Sequence, residues 1–340
     1  MITDLRSDTV THPTPGMLEA MWNARVGDDV FGEDPTIRML EEKTAAFFGF
    51  EAGLFCPSGT MTNQIAIKCH TQPGDEVICE ELSHVYIYEG GGIARNSHCQ
   101  ARPLKGNRGQ LHASQVSDAI NPDFDYKART RLVSLENTTN RGGGSCYSAT
   151  TMTEISDVCR KHGLGLHLDG ARIWNALVAK QEDPLFYGSC FDSVSVCFSK
   201  GMGTPVGSVL IGNQNFIREA RRVRKVMGGG MRQAGYLAAA GIYAIDHHIN
   251  RLATDHTHAR LIANALEQHP WIASVEPVET NIVIATTKAP DGAARFAAKL
   301  AAEQVFVIPV SPNQVRFVTH LDISEAMIER LIQQVFTSIQ

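Results

Sequence analysis

The sequence lacks the features that place a chain in or across a membrane. No apolar run approaches the roughly 20 residues of a transmembrane helix. The segment Met1–Asp8 is charged and has no apolar signal-peptide core. The eight cysteines stand singly, without CxxC pairs or the Cys/His spacing of a metal site. We therefore expect a cytoplasmic protein with buried, reduced thiols and no bound metal.

No excess of positive charge points to a nucleic-acid partner. The chain carries 31 Lys and Arg against 36 Asp and Glu, a formal charge of -5 at pH 7. The GxGxxG and GxxxxGK fingerprints of nucleotide-binding proteins are also absent, which disfavours that class. One basic run follows the spacing of a solvent-facing helix surface, with a nucleic-acid contact as the less favoured alternative. It consists of Arg218, Arg221, Arg222, Arg224 and Lys225.

Short apolar runs alternate with helical patterns between residues 36 and 243. This alternation predicts crossover connections and a mostly parallel sheet, so the expected fold class is α/β. Sheets of this kind bind ligands at the carboxyl ends of their strands. The predicted strands are Ala52–Cys56, Glu76–Glu80, Arg131–Leu135 and Leu164–Leu168, and the predicted helices are Thr36–Phe48, Met61–His70, Thr151–His162 and Leu237–Tyr243.

The pattern changes after a long polar helix predicted for residues 247–265. Short strands then flank one helix, which is the outline of a smaller α+β unit. A chain of 340 residues suits one large and one small unit. We therefore predict a large domain over residues 1–248 and a small C-terminal domain over residues 249–340. The strands predicted for the latter are Ile272–Val278, Asn281–Ala285, Val305–Pro309 and Gln314–Val318, and its helix is Asp291–Glu303.

Two apolar runs end on side chains that suit one cofactor. The run Leu164–Leu168 ends on Asp169, and the run Val194–Phe198 leads to Lys200 in a glycine-rich turn. Pyridoxal phosphate (PLP) needs an amine for its aldehyde and an acid for its pyridine nitrogen. Taken singly, a solvated loop lysine and a helix N-cap explain these residues equally well. Their order along the chain favours a PLP site.

A phosphate site is predicted where the strand Ala52–Cys56 runs into a helix. Ser58, Gly59 and Thr60 form a small-residue turn there, and the N–H groups of a helix N-terminus bind phosphate well. A plain Ser58 N-cap is the alternative. Farther along, Lys225 and Arg232 flank three consecutive glycines, which suggests an anion site or a flexible helix break.

With these segments in place, the chain resembles the threonine aldolases, PLP-dependent enzymes of the aspartate-aminotransferase fold type, known as fold type I. The matching segments run in order from the first residues to near the last. They are Asp4–Thr11, Val26–Pro35, Pro57–Thr60, Leu166–Arg172, Ser199–Ser208, Gly228–Gln233 and Arg316–Leu321.

The resemblance implies three catalytic residues. Lys200 would carry the cofactor, and Asp169 would pair with its pyridinium nitrogen. His84 would stack on the cofactor ring and is a candidate base, although stacking alone or a bound water as the base are open alternatives.

The resemblance also assigns binding residues. Ser7, Arg172 and Arg316 match the groups that hold the substrate carboxylate, for which the guanidinium fork is well shaped. Arg172 would also contact the cofactor. The phosphate would be bound by the turn Ser58–Thr60, with Lys225 and Arg232 as nearby cations that serve a neighbouring subunit. Members of the family are typically homotetramers, built from dimers whose active sites lie at the subunit interface.

Two positions depart from the family pattern. Thr139 stands where a histidine is common, in Glu136–Asn140, and a second histidine is replaced in the segment Phe124–Arg129, which contains Tyr126. The implied reaction is cleavage of L-threonine or L-allo-threonine to glycine and acetaldehyde, with loose discrimination between the two epimers. A β-eliminating lyase, an aminotransferase or an aldolase for aromatic β-hydroxy amino acids on the same scaffold are the alternatives.

Overall fold

The computed structural model describes residues 2–339, and its elements alternate as the sequence predicts. The strands are β1 Thr3–Asp4, β2 Ala52–Cys56, β3 Glu76–Glu80, β4 Gln100–Leu104, β5 Thr130–Glu136, β6 Gly165–Gly170, β7 Ser193–Cys197, β8 Ser208–Gly212, β9 Ile272–Val275, β10 Ile282–Thr287, β11 Val305–Phe306, β12 Ile308–Ser311 and β13 Gln314–Val318. The helices are α1 Pro15–Trp22, α2 Pro35–Phe47, α3 Gly59–His70, α4 His84–Ile87, α5 Gly92–Ser97, α6 Ala113–Ala119, α7 Ala149–His162, α8 Ile173–Lys180, α9 Leu185–Cys190, α10 Gln214–Val226, α11 Gly235–His247, α12 Leu252–Glu267, α13 Gly292–Ala302, α14 Glu325–Arg330 and α15 Phe336–Ser338.

A seven-stranded sheet with the order β2-β8-β7-β6-β5-β3-β4 forms the centre of the molecule. Strands β7, β6, β5, β3 and β4 run parallel, and β8 is antiparallel to both of its neighbours. Every residue of β3, β7 and β8 is buried, as expected when helices cover both faces of a sheet. The prediction of a mostly parallel α/β sheet is confirmed.

Strand β8 shows how the two faces of this sheet are packed. Val209 and Ile211 belong to one apolar cluster, whereas Leu210 belongs to another, because successive side chains of a strand point to opposite faces. The first cluster contains the rings of Phe48 and Trp174, whose centroids lie 5.1 Å apart. Each such buried side chain contributes about 1.5–3 kcal/mol. The sheet is therefore a rigid base for side chains at its strand ends.

The C-terminal part of the chain forms a four-stranded antiparallel sheet with the order β12-β13-β10-β9. Helix α12 packs against β9 and β10 and also against α8 of the large sheet's layer. The N-terminus joins this part, because β1 pairs in parallel with β11 and Leu5 is buried in the same apolar cluster. The predicted boundary between residues 248 and 249 stays a prediction.

Three sequence-based expectations need correction. The helix predicted for residues 247–265 begins later, at Leu252, because the preceding helix α11 continues to His247. The strand predicted for Val305–Pro309 is divided between β11 and β12. The basic run is not a uniformly exposed helix face, since Arg224 is buried and donates hydrogen bonds to the Phe55 carbonyl and to the Asp29 carboxylate, each at 2.6 Å.

The cysteines are all free, as expected, and Cys69 is the one that is not fully buried. Among residues 2–339, none of the helices is both long and apolar enough to cross a bilayer.

Candidate active site

The candidate site lies at the carboxyl end of the parallel strands. Glu136 ends β5 and is paired in register with Asp169 near the end of β6. Lys200 follows β7 by three residues. Because parallel strands end at one edge of the sheet, these side chains from distant parts of the sequence meet there.

A cavity of about 530 Å³ opens at this edge. Five of the predicted residues line it, together with Glu136, Asn140, Arg141 and Tyr88. The structure therefore brings together residues from both ends and the middle of the chain. The predicted residues in the wall are Ser7, His84, Arg172, Lys200 and Arg316.

Asp169 lies buried beside this cavity, with 2% of its surface exposed. Its Oδ2 accepts a hydrogen bond from Asn63 Nδ2 at 2.9 Å, and its Oδ1 accepts one from the Ala171 N–H at 3.1 Å. A ligand atom from each of His84, Glu89 and Asp169 lies within 4.8 Å of the other two. Such a trio is also compatible with a metal ion, so the prediction of a metal-free site stays a prediction.

His84 is held at both its backbone and its ring. Its N–H donates to Glu136 Oε2 at 2.8 Å, which fixes the start of α4. Its Nδ1 lies 2.9 Å from Glu89 Oε1, and a carboxylate only accepts, so Nδ1 carries the hydrogen and Nε2 is left to act as a base. Burial opposes the charged ring, but the hydrogen bond to Glu89 and the charge of Asp169 raise the pKa of His84 overall.

Glu136 is a site residue for which sequence analysis predicts no role. Its two carboxyl oxygens accept from the N–H groups of His84 and Asn140, each at 2.8 Å. Burial, and then the charge of Asp169, raise the pKa of Glu136 to about 7. The cavity therefore contains a carboxyl group that changes its charge near neutral pH.

Arg172 is paired with a carboxylate from the N-terminal segment. Its Nε and Nη2 both donate to Asp8 at 2.7 Å, and both side chains are buried. Burial favours the neutral acid, yet the charges of Arg172 and Lys200 lower the pKa of Asp8 to about 2. Because Asp8 occupies one edge of the guanidinium, only the remaining edge of Arg172 is free for a substrate.

Arg316 is the more available of the two arginines. Its Nη1 donates to Asn140 Oδ1 at 2.7 Å, and its Nη2 donates to the Arg6 carbonyl at 3.2 Å. Burial, and then repulsion from Arg172, lower the pKa of Arg316 to about 10. These neighbours disfavour the charged guanidinium, and a bound carboxylate would offset them. Ser7 also lines the cavity, and its Oγ accepts from the Thr9 hydroxyl at 2.8 Å.

The predicted phosphate residues stand at the start of α3 and do not line the cavity that contains Lys200. Ser58 is the N-cap, and its Oγ accepts from the Met61 N–H at 3.2 Å. The first N–H groups of a helix, here those of Gly59 and Thr60, have no intrahelical acceptor and so suit a phosphate.

The predicted cations Lys225 and Arg232 are exposed and are likewise absent from that wall. Arg232 pairs with Asp28 at 2.9 Å. A single subunit therefore does not bring them to Lys200.

The two departures from the family pattern also lie outside the cavity. Thr139 is buried, and its Oγ1 donates to the Arg108 carbonyl at 2.9 Å. Tyr126 is 76% exposed in the segment before β5. The cavity lies at the other end of that strand, a distance of about 20 Å at roughly 3.3 Å per residue. Neither side chain contacts the cavity of its own subunit.

Comparison with known proteins agrees with this geometry. A family model described as beta-eliminating lyase matches residues 4–290. The low specificity L-threonine aldolase of Escherichia coli strain K12 is 43% identical over 322 residues, which cover 94% of this chain and 94% of that protein.

Solved structures resemble the whole molecule. A threonine aldolase from Leishmania major superimposes with a TM-score of 0.85 at 21% identity and covers 99% of this chain and 100% of its own. The aspartate aminotransferase from Rhizobium meliloti gives 0.72 at 17% identity, with 99% and 90% coverage. The predicted fold type I is thus confirmed. The extended identity to the Escherichia coli enzyme goes further, and this chain belongs to the threonine aldolases of the beta-eliminating lyase family.

Proposed function

We propose that this protein is a PLP-dependent carbon-carbon lyase that cleaves L-threonine and L-allo-threonine to glycine and acetaldehyde. The observation that carries the proposal is 43% identity to a low specificity L-threonine aldolase over 94% of the chain. The meeting of Lys200, His84 and Arg316 in one cavity beside buried Asp169 supports it.

The donor set suits the cofactor. Lys200 supplies an amine in the cavity wall, and Asp169 supplies a buried carboxylate held by two donors. The N-terminus of α3 suits the phosphate. When bound, PLP withdraws the electrons of the bond that breaks at Cα. We propose Lys200 and Asp169 as its principal anchors, with the His84 ring against its face.

The chain's own residues orient the substrate. Arg316 is proposed to bind the substrate carboxylate, assisted by Ser7 and by the free edge of Arg172. Two fixed cations define the direction of Cα-Cβ relative to the cofactor, and this alignment selects the bond that breaks. Asp8 holds the Arg172 guanidinium in place through two hydrogen bonds.

His84 is proposed to move the proton. Its Nε2 takes the proton of the β-hydroxyl group as the Cα-Cβ bond breaks and the aldehyde leaves. Because Glu89 holds the Nδ1 hydrogen and helps to raise the pKa of His84, the ring is a stronger base than a free imidazole. A general base contributes about 10² to 10⁴ in rate. Replacing His84 should therefore slow cleavage without abolishing cofactor binding.

Several finer features belong to the same proposal. We propose a cytoplasmic homotetramer in which Lys225 and Arg232 serve the phosphate site of a neighbouring subunit, because both are exposed and lie away from their own cavity. We also propose loose discrimination between the threonine epimers. Neither Thr139 nor Tyr126 reaches the cavity of its own subunit, where a side chain could sort them.

The proposal is tested by supplying the purified protein with PLP and L-threonine. We expect a visible absorption band and equal amounts of glycine and acetaldehyde. Lys200→Ala should lose both the covalent band and the activity, whereas Lys161→Ala, which changes an exposed lysine of α7, is the comparison and should keep the band. Pyruvate and ammonia from serine, without aldehyde from threonine, would identify a β-eliminating lyase instead, the activity named by the matching family model.

A further inference from the structure

Asn63 occupies the junction between two parts of the candidate site. Its Nδ2 donates one hydrogen bond to Glu89 Oε1 and another to Asp169 Oδ2, each at 2.9 Å. Glu89 also accepts from the His84 ring. The Asn63 side chain is 1% exposed. Its amide thus connects Asp169, the acid proposed for the pyridine nitrogen, with Glu89, the hydrogen-bond partner of the proposed base His84.

The two carboxylates fix the orientation of this amide, because a carboxylate only accepts, and this orientation sets the hydrogen bonds behind it. Asn63 Oδ1 lies 3.1 Å from His167 Nε2, so His167 donates there. Burial, and then the charge of His70, lower the pKa of His167 to about 3, so its ring is neutral and its Nδ1 is a bare acceptor. That atom lies 2.9 Å from Ser193 Oγ, and the Ser193 hydroxyl therefore donates to it.

The same logic extends one residue farther. The Ser193 hydroxyl hydrogen is donated to His167, so the Ser193 Oγ accepts a hydrogen bond from His70 Nε2 at 2.8 Å. Each donor and acceptor in the series from His70 to Asp169 has only one consistent assignment. A flipped Asn63 amide would place its oxygen against two carboxylates, which is unfavourable at both contacts.

We propose that Asn63 is a positioning residue that holds Asp169 and the Glu89–His84 pair together as one unit toward the cofactor. The inference rests on the proposed function, because Asp169 acts there through PLP. Both carboxylates are buried beside each other, and the two N–H bonds of the amide supply the hydrogens between them.

Gln64 provides a matched control on the same helix. Its Nε2 donates to Glu89 Oε2 at 2.6 Å, and its Oε1 accepts from Asn96 at 3.1 Å. Gln64 is also buried but has no hydrogen bond to Asp169 among the described residues. Its loss therefore perturbs Glu89 while leaving the Asp169 contact intact.

The experiment measures the PLP dissociation constant of each variant relative to the wild type, between pH 6 and pH 9. Asn63→Ala should weaken PLP binding about 10-fold or more, as expected for a lost hydrogen bond to a charged group, and Gln64→Ala should change it by less than about threefold. Folding is checked for each variant by circular dichroism and urea unfolding.

Asn63→Asp gives a signature that a merely structural role would not produce. Three carboxyl groups then face one another, and they share a proton only at low pH. The ratio of variant to wild-type dissociation constants should be near one at pH 6 and rise at least about 10-fold by pH 9. A flat ratio, or an equal loss in Gln64→Ala, overturns the inference.

A second position keeps the test decisive if neither Asn63 variant folds. His167→Leu removes the donor to Asn63 Oδ1 and should weaken PLP binding, whereas His167→Gln keeps an N–H at similar reach and should restore it. Equal affinities of these two variants overturn the inference. A wild-type protein that binds no PLP refutes the proposed function instead, so the two failures are distinguishable.

Discussion

The buried pair of Asp8 and Arg172 gives the sharpest prediction for stability. The change is Asp8→Asn, which keeps the shape of the side chain and removes its charge. Asp8 is fully buried and Arg172 is 4% exposed, so the variant leaves a guanidinium without its counterion. Removing one partner of a buried pair costs about 3–5 kcal/mol. We therefore expect the free energy of unfolding to fall by this amount at pH 7.

The dependence on pH follows from the same pair. The pKa of Asp8 falls from 3.8 to about 2 on folding. At 1.36 kcal/mol per pKa unit, this difference is about 2 kcal/mol of stability. A lowered pKa stabilises the fold above pH 4, and the contribution is lost as the pH falls from about 4 to 2. The variant should lack this loss, so the gap between the two stability curves should narrow by about 2 kcal/mol in acid.

The assay is urea unfolding of the holoenzyme at matched protein concentration, followed by tryptophan fluorescence, to which buried Trp174 contributes. Asp4→Asn is the control, because the Asp4–Arg6 pair has a similar 2.6 Å contact but an exposed arginine and a half-buried acid. That variant should lose less than about 1 kcal/mol. If Asp8→Asn matches Asp4→Asn, or keeps the acid dependence of the wild type, the reasoning is wrong.

Three further changes test other parts of the structure. Glu136→Gln should abolish the fall in urea midpoint expected between pH 4.5 and 7, because the raised pKa of Glu136 makes its ionisation destabilising. Arg224→Ala should lower the free energy of unfolding by about 3 kcal/mol in the same assay, since buried Asp29 loses its contact at 2.6 Å and keeps only Arg221 at 3.7 Å. Gly207→Ala should lower the thermal midpoint, because the backbone has φ of +120° and a Cβ would lie 2.7 Å from Phe55.

Each of these changes has a control or a contradicting result. A pH profile of Glu136→Gln that still falls between pH 4.5 and 7 would assign the titration to another group. Arg222→Ala removes a side chain that is 76% exposed and should cost less than about 0.5 kcal/mol. Gly163→Ala has a positive φ without a steric contact, so a loss equal to that of Gly207→Ala would rule out the clash with Phe55.

The local sequence pattern was sufficient to predict the bounds of several strands. The bounds of β2, β3 and β13 agree with those predicted, because each is a short apolar run between turn residues. The break between α11 and α12 was predicted a few residues too early, because the predicted helices end at Tyr243 and resume at His247. A tertiary contact holds the chain at the actual break, where His248 Nδ1 lies 2.7 Å from the Met202 carbonyl oxygen.

The same distinction separates the site residues that were predicted from those that were missed. Lys200 and Asp169 follow strands, and this position is visible in the sequence. Asn63 and Glu89 lie in polar segments that resemble a solvent-exposed surface. Their hydrogen-bond partners are up to 106 residues away in the sequence. Asp8 lies inside a segment matched to the family, but its partner Arg172 is 164 residues distant.

The pairing of β1 with β11 has a consequence for how the protein matures on the ribosome. Residues 3 and 4 are synthesised long before their partners, residues 305 and 306. This pairing positions the neighbouring residues: Ser7 lines the cavity, and Asp8 accepts a hydrogen bond from Arg172. A nascent chain that stops before residue 305 contains Lys200 and Asp169. It lacks β11, the strand with which residues 3 and 4 pair. The complete cavity therefore forms only after the ribosome has passed residue 306.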